Sequence, residues 1–262
     1  MNSIARRRTV MCFCAIVCWL AVANAQNEPD PEVRRLYHDP KARELFESAR
    51  IALTGGPGGL ARLRSLRLKG HSQFSGADGT PFSGAVEIRI LLPDRYLRID
   101  SGSFGRRLTG YAGTTPLNLI ESADQHVISE PKDAASIEAA RFDLARFMLN
   151  MAWVSNEVQV KLYTRETPVD MPGAEFSPGV DAVSDMRFSA RVTFDPKSRM
   201  PDRVIYRNGS QVMTMSVVER KSAGGYKIPA HVVTRAGDRT VDELTFDEIV
   251  VNPSLAKADF AK

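Results

Sequence analysis

The sequence predicts an α+β protein of mainly antiparallel β type, one sheet curved round two helices. From Leu66 to Val251 most of the chain reads as short strand-like segments joined by turn residues such as Pro93-Asp94, Asn208-Gly209, Gly224-Gly225 and Gly237-Asp238. Only two stretches switch to helical spacing, one ahead of the strands and one in their midst. Strands in meander order pair antiparallel, and an amphipathic helix must bury its apolar side on a face of the sheet they form. The 262 residues are 43% hydrophobic and 25% charged with a mean hydropathy of -0.22, which excludes disorder and a polytopic membrane protein.

Arg6, Arg7 and Arg8 precede an apolar run of 14 residues, Val10 to Ala23, and Ala23-Asn24-Ala25 offers the small residues that a signal peptidase reads. As a helix that run spans about 21 Å, short of the roughly 30 Å hydrocarbon core. Residues 1–25 are therefore expected to be a signal peptide cleaved after Ala25, so that the mature chain is exported. Cys12, Cys14 and Cys18 leave with it, and the mature chain can hold neither disulfides nor thiolate-bound metals. Loss of three arginines and no acid from 35 basic and 31 acidic residues leaves a net charge of about +1, which gives no support to nucleic-acid binding.

Residues 26–38 are polar, and Asp39-Pro40 supplies an N-cap followed by proline at the first helical position. Ala42, Leu45, Phe46, Ala49, Ala52 and Leu53 then recur on one side until Gly55-Gly56 stops the helix. The glycines from Gly55 to Gly59 follow no strand and precede no Lys-Ser/Thr pair, so they read as a turn and not as a phosphate loop. Leu60 to Ser65 reads as a short second helical turn. Strands are expected at Leu66 to Phe74, Gly84 to Leu92, Tyr96 to Ser101, Arg106 to Tyr111, Leu117 to Glu121 and Val158 to Thr164. They continue at Met186 to Phe194, Asp202 to Arg207, Gln211 to Glu219, Ile228 to Thr234 and Thr240 to Val251, with Asn208-Gly209 the strongest hairpin signal. The second helix runs from Ser136 to Trp153 and is apolar on more than one side, which suits a helix lying across an apolar surface. Glu166 to Ser184, rich in Pro and Gly, reads as a long loop inside a single domain of residues 39–262.

Chemistry is sparse. His38, His71, His126 and His231 are dispersed and form no HExxH or i,i+4 metal pair. Gly102-Ser103-Phe104-Gly105 lacks the spacing of a nucleophile elbow and reads as a loop between strands. Asp242-Glu243 and Asp247-Glu248 read as solvated strand positions. No catalytic residue, metal or cofactor is expected. Arginines crowd the first half of the sheet at positions 62, 64, 67, 89, 95, 98, 106 and 107, where interspersed acids can pair with them. More specific is the apolar inventory: Leu144, Phe147, Met148 and Met151 on the second helix, with Met213 and Met215 on a strand. Unbranched Met side chains adapt to varied apolar partners, so these six are candidate ligand-binding residues, although the same spacing also builds an ordinary core.

The element order resembles the periplasmic outer-membrane lipoprotein carrier superfamily, the LolA-like and LolB-like proteins. The resemblance rests on an exported chain that opens with an amphipathic helix, on Leu92-Pro93-Asp94-Arg95-Tyr96-Leu97-Arg98-Ile99-Asp100, and on the closing stretch Phe246 to Phe260 with Asn252-Pro253. It implies a half-open barrel of about 10–11 strands with two main helices packed on the concave face, in a periplasmic protein. It also implies a binding function: a lipid or lipoprotein acyl chain held in the cavity of a monomer, with inner- or outer-membrane envelope proteins as further partners. Arg98 matches the strand arginine that in the family helps hold the helical lid, with Arg95 as the alternative register, and it joins the six apolar residues as a candidate ligand-binding residue that could meet an anionic ligand head or a lid carbonyl. The competing expectations are a structural or partner-binding envelope protein with a filled barrel and an exposed apolar patch and, behind it, a hydrolase with an unrecognised site.

Overall fold

The computed structural model describes residues 39–76, 79–154, 163–169, 177–184 and 187–261, all within one compact unit. The predicted signal peptide and the polar segment 26–38 lie outside the described residues. Helix α1 spans Pro40–Thr54, with the Asp39 side chain accepting from the Lys41 N–H and Gly55 closing the end in the left-handed region at φ 70°. Ala42, Phe46, Ala49 and Leu53 form its buried stripe. A short 3₁₀ turn, Gly59–Arg62, leads into the sheet.

Fourteen strands follow among the described residues: β1 (Ser65–Ser75), β2 (Pro81–Leu91), β3 (Arg95–Gly102), β4 (Gly105–Ala112), β5 (Thr115–Pro116), β6 (Leu119–Glu121), β7 (Val127–Ser129), β8 (Tyr163–Val169), β9 (Ser177–Val183), β10 (Ser189–Phe194), β11 (Pro201–Asn208), β12 (Gln211–Ala223), β13 (Tyr226–Ala236) and β14 (Arg239–Val251). They build one sheet in the order β7-β6-β4-β3-β2-β1-β14-β13-β12-β11-β10-β9-β8, with β5 beside β4. Neighbours pair antiparallel throughout. β7 and β8 end the order without meeting, so the curved sheet is a half-open barrel. Asn208 pairs with Gln211 across Gly209 (φ 59°), as the hairpin signal predicts.

Helix α2 spans Ala134–Leu149 and is capped by Asp133, whose side chain accepts from the Ser136 N–H at 2.8 Å. It stops before the expected Trp153. Asn150 caps it, Ala152 turns left-handed at φ 54°, and Trp153 N–H bonds the Met148 carbonyl at 3.0 Å. Met151 and Trp153 stay buried, so their apolar rhythm continues the helical spacing past the real end.

The expected loop Glu166 to Ser184 is corrected: β8 and β9 form a paired hairpin from Tyr163–Val183 to Val169–Ser177. Pro168 and Pro178 face each other as one pair of the β8–β9 ladder; Pro168 sits in the edge strand and Pro178 lies beyond the last pair between β9 and β10, Thr193–Gly179, so neither interrupts the ladder to β10. The strand expected at Val158 to Thr164 falls mostly outside the described residues. The surplus over 10–11 strands comes from β8, β9 and the two- or three-residue pieces β5 and β7, which are too short to show a period.

Alternation sorts the sheet into two faces. Leu66, Leu68, Val86, Ile88, Ile90, Tyr96, Tyr111, Val180, Val192, Val204, Val232 and Phe246 join both helices in one large core. Leu97 and Leu108 point the other way and meet Leu119 and Phe260 in a smaller cluster that seats the closing 3₁₀ turn Lys257–Phe260.

Candidate ligand-binding face

The predicted apolar residues come together. Leu144, Phe147, Met148 and Met151 are 0–4% exposed and share the main core with Met215; Met213, at 6%, lies two residues away on the same face of β12. Met213 stands opposite Tyr206 and Met215 opposite Val204 on β11, so both thioethers point to the side that the helices cover. The Asn150 amide approaches the Met215 sulfur at 3.2 Å.

Polar contacts hold α2 along its length. At its start Asn118 Nδ2 donates to the Ser136 carbonyl at 3.1 Å, and Arg141 donates to the Gly113 carbonyl at 3.1 Å. Midway, Tyr96 donates to Asp143 Oδ2 at 2.5 Å from the β3 side. Burial, and then the Asp143 charge, push the Tyr96 phenol well above its usual range, so it remains a donor. Toward β11, the Arg146 guanidinium lies 4.0 Å from the Tyr206 ring centroid, and burial pushes that phenol up to about 12.

The C-terminal carbonyls of α2 and the turn after it are held by cations. Arg220 Nη2 donates to the Asn150 carbonyl at 2.9 Å and the Pro201 carbonyl at 2.6 Å, and Arg50 Nε donates to the Ala152 carbonyl at 2.9 Å. Burial lowers the Arg220 guanidinium to about 10.

Arg98 does something else. Its Nε donates to Asp100 Oδ2 at 2.9 Å, and its two terminal nitrogens donate to Asp242 Oδ2 and Oδ1 at 2.7 and 2.9 Å. Arg107 adds a bond to Asp100 Oδ2 at 2.9 Å. This network joins β3 and β4 to β14 across the concave side. Burial by itself would raise the Asp100 carboxyl, but attraction and hydrogen bonds from Arg98 and Arg107 outweigh it and hold the group below its ordinary value. Asp242, expected on a solvated strand position, is instead drawn into this network. Arg107 also lies 3.8 Å over Phe74, which packs with Phe82 and Phe104 at 5.3–5.5 Å between centroids.

Tyr96, Arg98 and Asp100 alternate along one strand, a signal for one shared face. Asp143, Asp242 and Arg220 lie far from them in sequence and gave no such signal. The histidines are spread out: His71 lies 3.5 Å from Asp247, His126 3.4 Å from Asp124 and His231 2.7 Å from Glu243, while His38 is outside the described residues. A separate surface cavity of about 430 Å³ lies between α1 and the strands at the β8 end, with Leu45, Phe194, Pro178 and Pro196 among its lining. No candidate residue lines it.

A half-barrel with helices across its concave face is the LolA-like architecture, and comparison with solved structures returns that fold. A LolA superfamily protein from Nitrosomonas europaea matches with a TM-score of 0.53 at 12% identity, covering 84% of this chain and 97% of its own. A domain assigned to outer-membrane lipoprotein sorting, from Vibrio parahaemolyticus, matches with a TM-score of 0.51 at 12% identity over 84% of this chain and 97% of its own. A DUF1329 family protein from Desulfovibrio piger gives a TM-score of 0.52 at 8% identity over 85% and 98%. No family model and no curated protein matches the chain.

Proposed function

We infer that this is an exported periplasmic binding protein, not an enzyme, which holds the acyl chain of a lipid or lipoprotein between α2 and the concave sheet face. The observation that carries the reading is the methionine-lined contact of Met148, Met151 and Met215 beneath a helix whose polar attachments are spread along its length. In the described conformation the two apolar surfaces close on each other, so an acyl chain would enter between them by parting α2 from the sheet. About ten methylenes at roughly 0.8 kcal/mol each give about 8 kcal/mol gross, which after ordering costs supports micromolar affinity at best. Arg98, fully engaged by Asp100 and Asp242, serves this reading by holding the curvature of the face rather than by meeting a ligand head.

Native mass spectrometry of protein purified from its own envelope tests the reading, because it shows whether a ligand is present and what it weighs. An adduct in the mass range of a lipid or acylated peptide is the expected result. In a titration with a fluorescent fatty acid, Met151→Asp or Leu144→Asp should abolish uptake, since an unpaired carboxylate in an apolar contact costs several kcal/mol. The exposed Arg64→Ala should leave uptake unchanged, and circular dichroism must show each variant folded. A protein that is consistently empty and takes up no fatty acid, phospholipid or lipopeptide would overturn the carrier reading in favour of a filled structural barrel.

A further inference from the structure

The open sheet has two edges, and they are finished differently. At β8 the backbone is covered: Asp39 N–H donates to the Thr164 carbonyl at 3.1 Å, and Glu166 N–H donates to Asp39 Oδ2 at 3.2 Å. Pro168 sits in the same strand, and Lys41 and Glu166 pair across it at 3.6 Å. Prolines, charges and a covering segment are the devices by which proteins keep an edge strand from adding a neighbour.

β7 is finished by its shortness and its irregular pairing with β6; within it there is neither proline nor charge, and no segment covers it among the described residues. Its three residues are all exposed, with Val127 at 59% and Ile128 at 66%, and Ile120 on the adjoining β6 is 41% exposed. No strand lies on its outer side among the described residues. Between the pairs Ile120–Ser129 and Glu121–Val127, Ile128 has no opposite residue on β6, so its side chain is spare for an outside contact.

The surroundings of this edge are acidic. Glu121, Asp124, Glu130 and Asp133 lie in or beside it, against Lys132 and the Arg106 that pairs with Glu121 at 2.8 Å. The Asp133 carboxyl is held below its usual range by the Ser136 backbone N–H and hydroxyl, so it is charged at neutral pH. A second copy of this chain docked β7 against β7 about a twofold axis would bring like charges together and be opposed.

We propose that β7 is a docking edge for an extended segment of a partner protein, apolar at its centre and flanked by basic residues, which adds to the sheet as a further strand. This site is distinct from the face beneath α2 and stands or falls separately from ligand uptake.

The test uses fluorescence anisotropy with a labelled heptapeptide of alternating threonine and valine bearing a lysine at each end, titrated with the full mature chain. Binding is expected, at least tenfold weaker for a glutamate-ended analogue and falling as salt rises from 50 to 500 mM. Ile128→Lys, which alters a residue outside the core, should weaken binding at least tenfold while leaving thermal stability and fatty-acid uptake unchanged. Amide exchange at residues 127–129 should slow when the peptide is present. Equal binding of the lysine- and glutamate-ended peptides, an unaffected Ile128→Lys variant, or no binding at millimolar peptide would overturn the proposal. So would concentration-dependent dimerisation of the native chain that Ile128→Lys abolishes, seen by analytical ultracentrifugation.

Discussion

Replacing Asp100 by Asn removes one negative charge from a nearly enclosed set of two arginines and two aspartates while keeping the side-chain shape. Asp100 is 0% exposed and accepts from both Arg98 and Arg107, so the variant leaves Arg98, itself 7% exposed, with Asp242 as its remaining carboxylate partner among the described residues. Breaking a buried ion pair from one side costs about 3–5 kcal/mol. Arg107 is 29% exposed at its side chain and can turn to water, which sets the loss at the lower end, about 3 kcal/mol, or a drop in melting temperature of about 6–12 °C. The pH dependence gives a second check. The Asp100 carboxyl is depressed in the folded state, so its contribution is complete above the ordinary carboxylate value of about 4 and fades as pH falls through the lower folded value. Urea unfolding followed by circular dichroism should show a constant gap between the native chain and the Asp100→Asn variant from pH 5 to 8 that narrows below about pH 4. Equal stability at pH 7, or a gap that stays the same at pH 3, would refute the assignment of this network as a charge-stabilised tie across the concave face.

Three further outcomes are expected. Tyr96→Phe leaves Asp143 without its donor and should cost about 1.5–3 kcal/mol in urea unfolding, with an unchanged midpoint removing the α2 attachment from the account. Gly70→Ala places a methyl 1.9 Å from the Thr245 carbonyl oxygen where β1 meets β14, and should lower stability by more than about 2 kcal/mol; Gly209→Asn, at φ 59° with open space around it, should be nearly neutral by the same thermal assay. Ser72 is 1% exposed with no partner for its hydroxyl among the described residues, so Ser72→Ala should be neutral or stabilising by up to about 1 kcal/mol, and a clear loss in calorimetry would show that the hydroxyl is satisfied by bound water.

Much of the fold follows from local rules. Asp39-Pro40 and Gly55 bound α1, the alternation Leu66, Leu68 and Tyr96, Arg98, Asp100 gave strands and their inward faces, and Asn208-Gly209 gave a hairpin. These signals depend on cap chemistry and on periods that span a few neighbouring residues. The β8–β9 hairpin carries the local signature of a loop because Pro168 and Pro178 are strand breakers unless one side of the strand is unpaired there, and that is a property of the whole sheet.

By itself the sequence determined an antiparallel sheet, two helices and the apolar stripe of α2, since each is written in composition or in spacing along the chain. Only the tertiary structure decided what the charged groups do. Arg98 and Asp242 lie 144 positions apart and Arg220 and Asn150 lie 70 apart, and no local period relates them. Curvature of the sheet brings the first pair together, and the seating of α2 brings the second. The same holds for the contrast between the edges: Val127 and Ile128 resemble any short apolar segment until the strand order shows that no described strand lies on their outer side.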